Sequence, residues 1–288
     1  MALIQFEAFS EVLGKAFSAQ IALPETNRGP FPVLWLLHGA GDNHTGWLRH
    51  TAIERQATRR DLALVAPAAG MSMYEDMAHG QRYFTHIADE LPGMLRRLLP
   101  LSDKREDNFI AGLSMGGMGA LKIAMRRPEN YAAICCLSAG HTNYRFHEPR
   151  EGTPRFNRYL VAYGEAGPLP SEEETLARAR ALAEAGGPCP RVWHVCGEQD
   201  SLKSNAALTR DFFESLPGNP FQYEYHEYPG RHNWDFWEAR VPEMLDFALR
   251  GRKERRPCAP PSSIWTAPCL TACTSGTRWT SGSSPSAG

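Results

Sequence analysis

The sequence predicts an α/β domain with a mostly parallel central sheet and helices on both faces. Three observations lead there. Short apolar runs, FPVLWLLHG (31–39), LALVAPAA (62–69), YAAICCLSAG (131–140) and RVWHVCG (191–197), recur along the chain. Their apolar character is continuous, as expected of strands buried on both faces rather than one. Segments of helical pattern separate them, and strand–helix alternation implies parallel pairing. The 288 residues, 42% hydrophobic and 22% charged, suffice for one large domain with a well-buried core.

Taken in order, residues 2–24 alternate loosely around Gly14 and predict an N-terminal hairpin. The run 31–39 ends in glycine and is followed by a helix over 47–60 and the strand 62–69. THIADELPGMLRRLLP (85–100) is amphipathic and predicts a helix that Pro92 and Gly93 kink or split. NFIAGL continues into a helix to about Arg127, and the run 131–140 follows. Residues 191–197 read as a strand, 203–216 as a helix, the alternating FQYEYHEYP (221–229) as a further strand, and 234–250 as a closing helix. Residues 141–190 interrupt the alternation with aromatics and then an acidic helix around 171–185. This stretch is too long for a plain connection and reads as a small cap. From Gly251 to Gly288 the chain is dominated by Ser, Thr, Pro and Gly without apolar periodicity. Such a composition predicts a disordered tail after a domain spanning 1–250.

A net charge of −1 gives no electrostatic case for nucleic acid or an anionic membrane as partner. No apolar run is long enough to span a bilayer, and the N-terminus lacks the pattern of a signal peptide. Three of the seven cysteines, Cys135, Cys136 and Cys196, lie in apolar strand runs, which favours reduced thiols and a cytoplasmic setting. The reading leaves room for a homo-oligomer.

The chemistry centres on NFIAGLSMGGMGALKIAM (108–125). A strand that becomes a helix within a few residues forces the turning residue into a sparsely populated backbone region, and neighbouring glycines remove the Cβ atoms that would clash. Gly112-Leu113-Ser114-Met115-Gly116 fits G-x-S-x-G, a nucleophile elbow, which makes Ser114 the candidate nucleophile. A serine hydroxyl needs a general base and an orienting acid, in the chain order Ser, acid, His. His226 lies within a strand; His232, in the turn PGRHNW, is the favoured base. Glu198 and Asp200 both follow the strand 191–197, and Asp200, farther into the loop, is favoured over Glu198. The tetrahedral intermediate needs two N–H donors. Met115, just after the nucleophile, supplies one, and Ala40 in LHGAGDN supplies the other, with His38 supporting that bend. Trp47, Tyr74, Trp234 and Trp237 are candidates for lining an apolar acyl or aryl site. His38, His44, His79 and the pair His141/His147 show no recognised metal-ligand spacing, so neither metal nor other cofactor is expected.

With LLHGAGDNHTGW, MAHGQRYFTHIADELP, NFIAGLSMGGMGALKIA, CGEQDSL and PGRHNWDFW, residues 1–250 resemble the esterase D branch of the α/β-hydrolases, above all its tributyrin-esterase type. The resemblance implies an α/β-hydrolase fold and a serine carboxylesterase acting on a small-molecule ester without cofactor. It implies Ser114 as nucleophile, His232 as base, Asp200 as acid, and an oxyanion hole from Ala40 and Met115. S-formylglutathione hydrolases of that branch resemble one another in a cysteine-bearing oxyanion stretch, which this chain lacks.

Overall fold

The computed structural model describes residues 1–26, 29–141 and 152–252. Eight strands form one sheet in the order β1-β2-β4-β3-β5-β6-β7-β8. The predicted hairpin is β1 (Ala2–Ser10) and β2 (Lys15–Leu23), antiparallel to each other. β2 pairs antiparallel with β4 (Ala63–Pro67). From β4 onward the sheet is parallel, through β3 (Val33–Leu37), β5 (Asn108–Leu113), β6 (Ala133–Leu137), β7 (Arg191–Gly197) and β8 (Glu224–Tyr228).

The continuous apolar runs are explained by two cores, one on each face. Val33, Trp35 and Leu37 of β3 point into the first, while Leu34 and Leu36 point into the second. On the first face lie α3 (Tyr83–Thr85), α4 (Leu91–Leu98), α5 (Met115–Arg126) and α8 (Lys203–Glu214). The second is covered by α1 (Gly46–His50), α2 (Ile53–Thr58) and α9 (Trp234–Ala248). Cys135, Cys136 and Cys196 are buried free thiols, and burial pushes all three well above the usual thiol range.

Three local expectations are corrected. The single helix over 47–60 is two, because Thr51 turns extended; its hydroxyl donates to the Trp47 carbonyl (2.6 Å) and accepts from the Ile53 N–H (3.2 Å). The segment 85–100 is not split at Pro92. Helical turns run from Tyr83 to Leu98, with one wider turn at His86–Glu90 just ahead of the proline. That wider turn separates α3 from α4 and precedes the residue that cannot donate. β8 does not alternate: all five residues are half-buried, because it is the outer strand of the sheet.

Between β6 and β7, the described part of the excursion holds α6 (Pro154–Tyr163) and α7 (Leu169–Ala185). It is tied to the body at Ala78 N–H to Ala162 carbonyl (3.0 Å), at His79 N–H to Val161 carbonyl (3.0 Å), and by an Arg126–Glu174 ion pair (2.6 Å). The first compact unit ends at Arg252, which pairs with Asp107 at 3.1 Å. The tail assigned from residue 251 lies outside the described residues from 253 on.

Candidate active site

Parallel pairing brings the C-terminal ends of β3, β5, β6, β7 and β8 to one edge of the sheet, with Leu37 opposite Gly112, Leu113 opposite Leu137, and Gly197 opposite Tyr228. Loops leaving that edge meet there, as open α/β sheets generally arrange their sites.

Ser114 sits between β5 and α5 with φ +54° and ψ −122°, a conformation that costs a non-glycine residue free energy. The glycines around it are required sterically. A Cβ on Gly112 would lie 2.1 Å from the Gly116 carbonyl oxygen, and one on Gly116 would lie 2.2 Å from that of Leu37. Strand, elbow and helix approach too closely for any side chain at those two positions.

His232 lies in the turn between β8 and α9, which Asn233 caps by accepting from the Phe236 N–H at 3.2 Å. Its Nε2 is 2.9 Å from Ser114 Oγ, and its Nδ1 is 3.0 Å from both carboxylate oxygens of Asp200. The loops carrying acid and histidine are joined by backbone: Gln199 N–H donates to the Gly230 carbonyl (3.0 Å) and Glu198 N–H to that of Tyr228 (2.9 Å). Asp200 is buried and also accepts from the Leu202 N–H at 2.7 Å. Burial alone would raise its pKa, but hydrogen bonds from His232, Ser138 and Leu202 outweigh it and hold the carboxyl below the usual range. Glu198 is exposed, its carboxylate contacting Gln199 Nε2 at 3.3 Å. The structure thus brings Asp200, and not Glu198, to the histidine. His226 stays within β8, beside Glu224 (3.6 Å).

The bend after β3 is fixed by His38. Its buried ring bonds through Nδ1 to the Gly39 carbonyl (2.8 Å), and its Nε2 accepts from the Ala69 N–H (2.9 Å). These contacts assign the proton to Nδ1. Among the described residues, neither Ala40 N–H nor Met115 N–H has a hydrogen-bond acceptor. Met115 opens α5, so its N–H is one that the helix leaves unpaired.

Three of the four residues expected to line an acyl or aryl site are buried and hydrogen-bonded to the surrounding fold. Tyr74 is fully buried, donates to the His38 carbonyl at 2.9 Å, and lies so close to α5 that a Cβ on Gly119 would meet its ring at 2.4 Å. It is a strut between the bend and α5. Trp47 is fully buried with its Nε1 donating to the Leu37 carbonyl (3.0 Å), and Trp237 is buried with its Nε1 donating to Ser138 Oγ (2.9 Å). Only Trp234 keeps partial exposure; it packs against Trp47, Trp237 and His50. Ser138 escaped sequence reasoning, since one serine after a strand carries no signal of its own. Among the described residues, no group of three or more His, Cys, Asp or Glu could hold a metal ion. His147 lies outside them.

A profile of the putative esterase family matches residues 10–248. The chain belongs to that family. It is 27% identical over 263 residues to the acetyl esterase of Caldicellulosiruptor saccharolyticus, covering 86% of this chain and 98% of that one. Among solved structures it is similar to the substrate-bound fluorophosphonate-binding serine hydrolase F of Staphylococcus aureus, at TM-score 0.77 and 27% identity over 86% of this chain and 98% of the other. It is also similar to the S-formylglutathione hydrolase of Staphylococcus aureus, at TM-score 0.71 and 26% identity over the same shares. The esterase has the α/β-hydrolase fold and is a carboxylic ester hydrolase. Among the described residues no helix is long and apolar enough to cross a membrane.

Proposed function

We propose that the esterase hydrolyses short-chain acyl or small aromatic esters in the cytoplasm, through an acyl-enzyme on Ser114. The observation that carries this reading is the continuous line from Ser114 Oγ to His232 Nε2 (2.9 Å) and from His232 Nδ1 to Asp200 (3.0 Å). Ser114 Oγ attacks the ester carbonyl carbon as its proton passes to His232 Nε2. Asp200 holds the imidazole with Nδ1 protonated and stabilises the imidazolium. The N–H groups of Ala40 and Met115 receive the oxyanion. Collapse expels the alcohol, which takes the proton from His232 and leaves acyl-Ser114. Water then attacks with His232 as base, and the carboxylic acid departs. The free thiols Cys135, Cys136, Cys189 and Cys196 support a reducing compartment. Residues 141–190 are read as the cap, since α6 and α7 are inserted between β6 and β7, whose ends flank the site.

The acetyl esterase relative supports a small acyl group. A second reading, a glutathione thioester as substrate, is favoured by the S-formylglutathione hydrolase relatives, although residues 38–43 of this chain contain no cysteine. A panel of p-nitrophenyl esters from acetyl to dodecanoyl, methyl hydroxycinnamates and S-formylglutathione separates these readings. Turnover should peak between acetyl and butyryl. A peak at dodecanoyl would contradict the short-acyl reading, and S-formylglutathione as the best substrate would replace it.

A further inference from the structure

The bend that carries Ala40 is gripped by the loop that follows β4. Ala69 N–H donates to His38 Nε2 (2.9 Å), the Tyr74 hydroxyl donates to the His38 carbonyl (2.9 Å), and Gly41 N–H donates to Met71 Sδ (3.1 Å). Within the bend, Asp42 N–H donates to the Gly39 carbonyl (3.2 Å), and Gly41 has φ +82°. A closed four-residue turn with that angle at its third position has the signature of type II. Its central peptide, which joins Ala40 to Gly41, is the one whose flip converts type II into type I. A Cβ on Gly41 would meet nothing within 4 Å, and glycine accepts either sign of φ. The residue itself therefore does not choose between the two turns. The acceptor for its N–H does, and that acceptor is the Met71 thioether.

His38 is fixed on one side of Ala40 by a ring and a hydroxyl, and Gly41 on the other side by sulfur. Sulfur is the oxidisable atom of the three. Met71 keeps partial exposure, whereas Met73, Met115 and Met118 are buried. Hydrogen peroxide would transfer one oxygen to a sulfur lone pair: the O–O bond breaks, water leaves, and the thioether loses two electrons to become the sulfoxide. On the lone pair that faces Gly41, the new oxygen would stand where 3.1 Å leaves no room for an atom. On the other lone pair, it would leave a sulfur drained of electron density that no longer accepts. Either product releases the turn.

We propose that Met71 positions the Ala40–Gly41 turn for the oxyanion, and that oxidation of its thioether by peroxide turns the esterase down. This clamp rests on the reading of Ala40 N–H as an oxyanion donor. Met71 is a positioning residue, because it acts through the turn.

Met71→Leu keeps the apolar volume and removes the acceptor. With p-nitrophenyl acetate its kcat should fall on the order of tenfold, less than the roughly 10²- to 10³-fold cost of deleting an oxyanion donor, since Ala40 N–H is misaimed but present. KM and Tm should change little, as for an interaction expressed in the transition state. Peroxide should lower wild-type kcat at least as far, with sulfoxide found on Met71 by peptide mass spectrometry and activity restored by methionine sulfoxide reductase. The Met71→Leu protein should lose nothing further. Amide NMR of the free enzyme reads the clamp without turnover: exchange of the Gly41 N–H should be several-fold faster in Met71→Leu. Unchanged kcat or unchanged Gly41 exchange in that variant overturns the clamp, and an equal peroxide loss in both proteins overturns the switch. In wild type carrying a phosphonyl group on Ser114, the Ala40 amide should shift downfield. If it stays in place while Gly41 exchange responds to Met71→Leu, the oxyanion reading of Ala40 fails and the clamp on the turn stands.

Discussion

At Ser114 and Asp200, local conformation and local charge suit the proposed chemistry. Ser114 holds φ +54° at the head of α5, which points its Oγ at His232 Nε2 rather than into a core. Asp200 keeps its charge although buried, because His232 Nδ1 and the Leu202 N–H both bond to its carboxylate. The amide of Asp200→Asn presents a donor where Nδ1–H needs an acceptor, so the imidazole loses its useful tautomer. By the serine-protease precedent, kcat should fall on the order of 10³- to 10⁴-fold with the fold intact. Glu198→Gln should cost less than about tenfold, since an exposed carboxylate acts only through screened electrostatics. Steady-state kinetics of the two variants decide between them, and the reverse pattern would make Glu198 the acid. Chain order and loop position already favoured Asp200 in the sequence. Sequence could not show that Glu198 turns outward, because both carboxylates follow the same strand and the turn is fixed by contacts made on folding, among them Asp200 N–H to the Gly197 carbonyl (3.0 Å) and Gln199 N–H to that of Gly230 (3.0 Å).

Among the elements, α5 does more than follow Ser114. Its Lys122 is buried and bonded to the Glu75 carboxylate, with the Met73 carbonyl at 2.9 Å. Arg126 reaches the other Glu75 oxygen at 3.1 Å and Glu174 of α7 at 2.6 Å, and Ser171 of α7 also bonds to Glu75. This cluster ties the inserted helix to the helix behind Ser114. Burial opposes the charge on Glu75, yet Lys122, Ser171 and Arg126 outweigh it and hold the carboxyl below its ordinary range. A carboxyl with a depressed folded pKa adds stability that is complete above its unfolded value, about 4.3. That contribution fades as pH falls through the lower folded value. Glu75→Gln would strip a buried lysine of its counter-charge and should cost about 3–5 kcal/mol at pH 7. The penalty should shrink in acid, where wild type loses the same interaction; chemical denaturation at pH 7 and pH 3.5 measures both. A penalty equal at both pH values would contradict the ionic account. No sequence pattern announced this cluster, since Glu75, Lys122 and Glu174 belong to separate elements and meet only through folding.

For the whole molecule, the sheet was legible because strands buried on both faces are largely apolar: β3, β4 and β6 are so throughout, and β5 and β7 apart from Asn108, Arg191 and His194. What escaped was governed by contacts remote in sequence. The break at Thr51 is held in part by Ala52 N–H donating to Glu238 (2.9 Å), far along the chain. Aromatic type alone could not show that Tyr74, Trp47 and Trp237 are buried. The first compact unit, Met1–Arg252, contains both cores. A chain ending at Arg252 should therefore keep the Tm and esterase activity of the full chain, whereas a Tm lower by several degrees would show that later residues add to the folded body. Every catalytic step proposed above requires Ser114 as nucleophile. Treatment with a fluorophosphonate followed by peptide mass spectrometry tests it most directly. One adduct on Ser114 is predicted, with labelling and ester turnover both lost in a folded Ser114→Ala protein. An adduct on Ser138 or Ser201, or turnover surviving in Ser114→Ala, would contradict it.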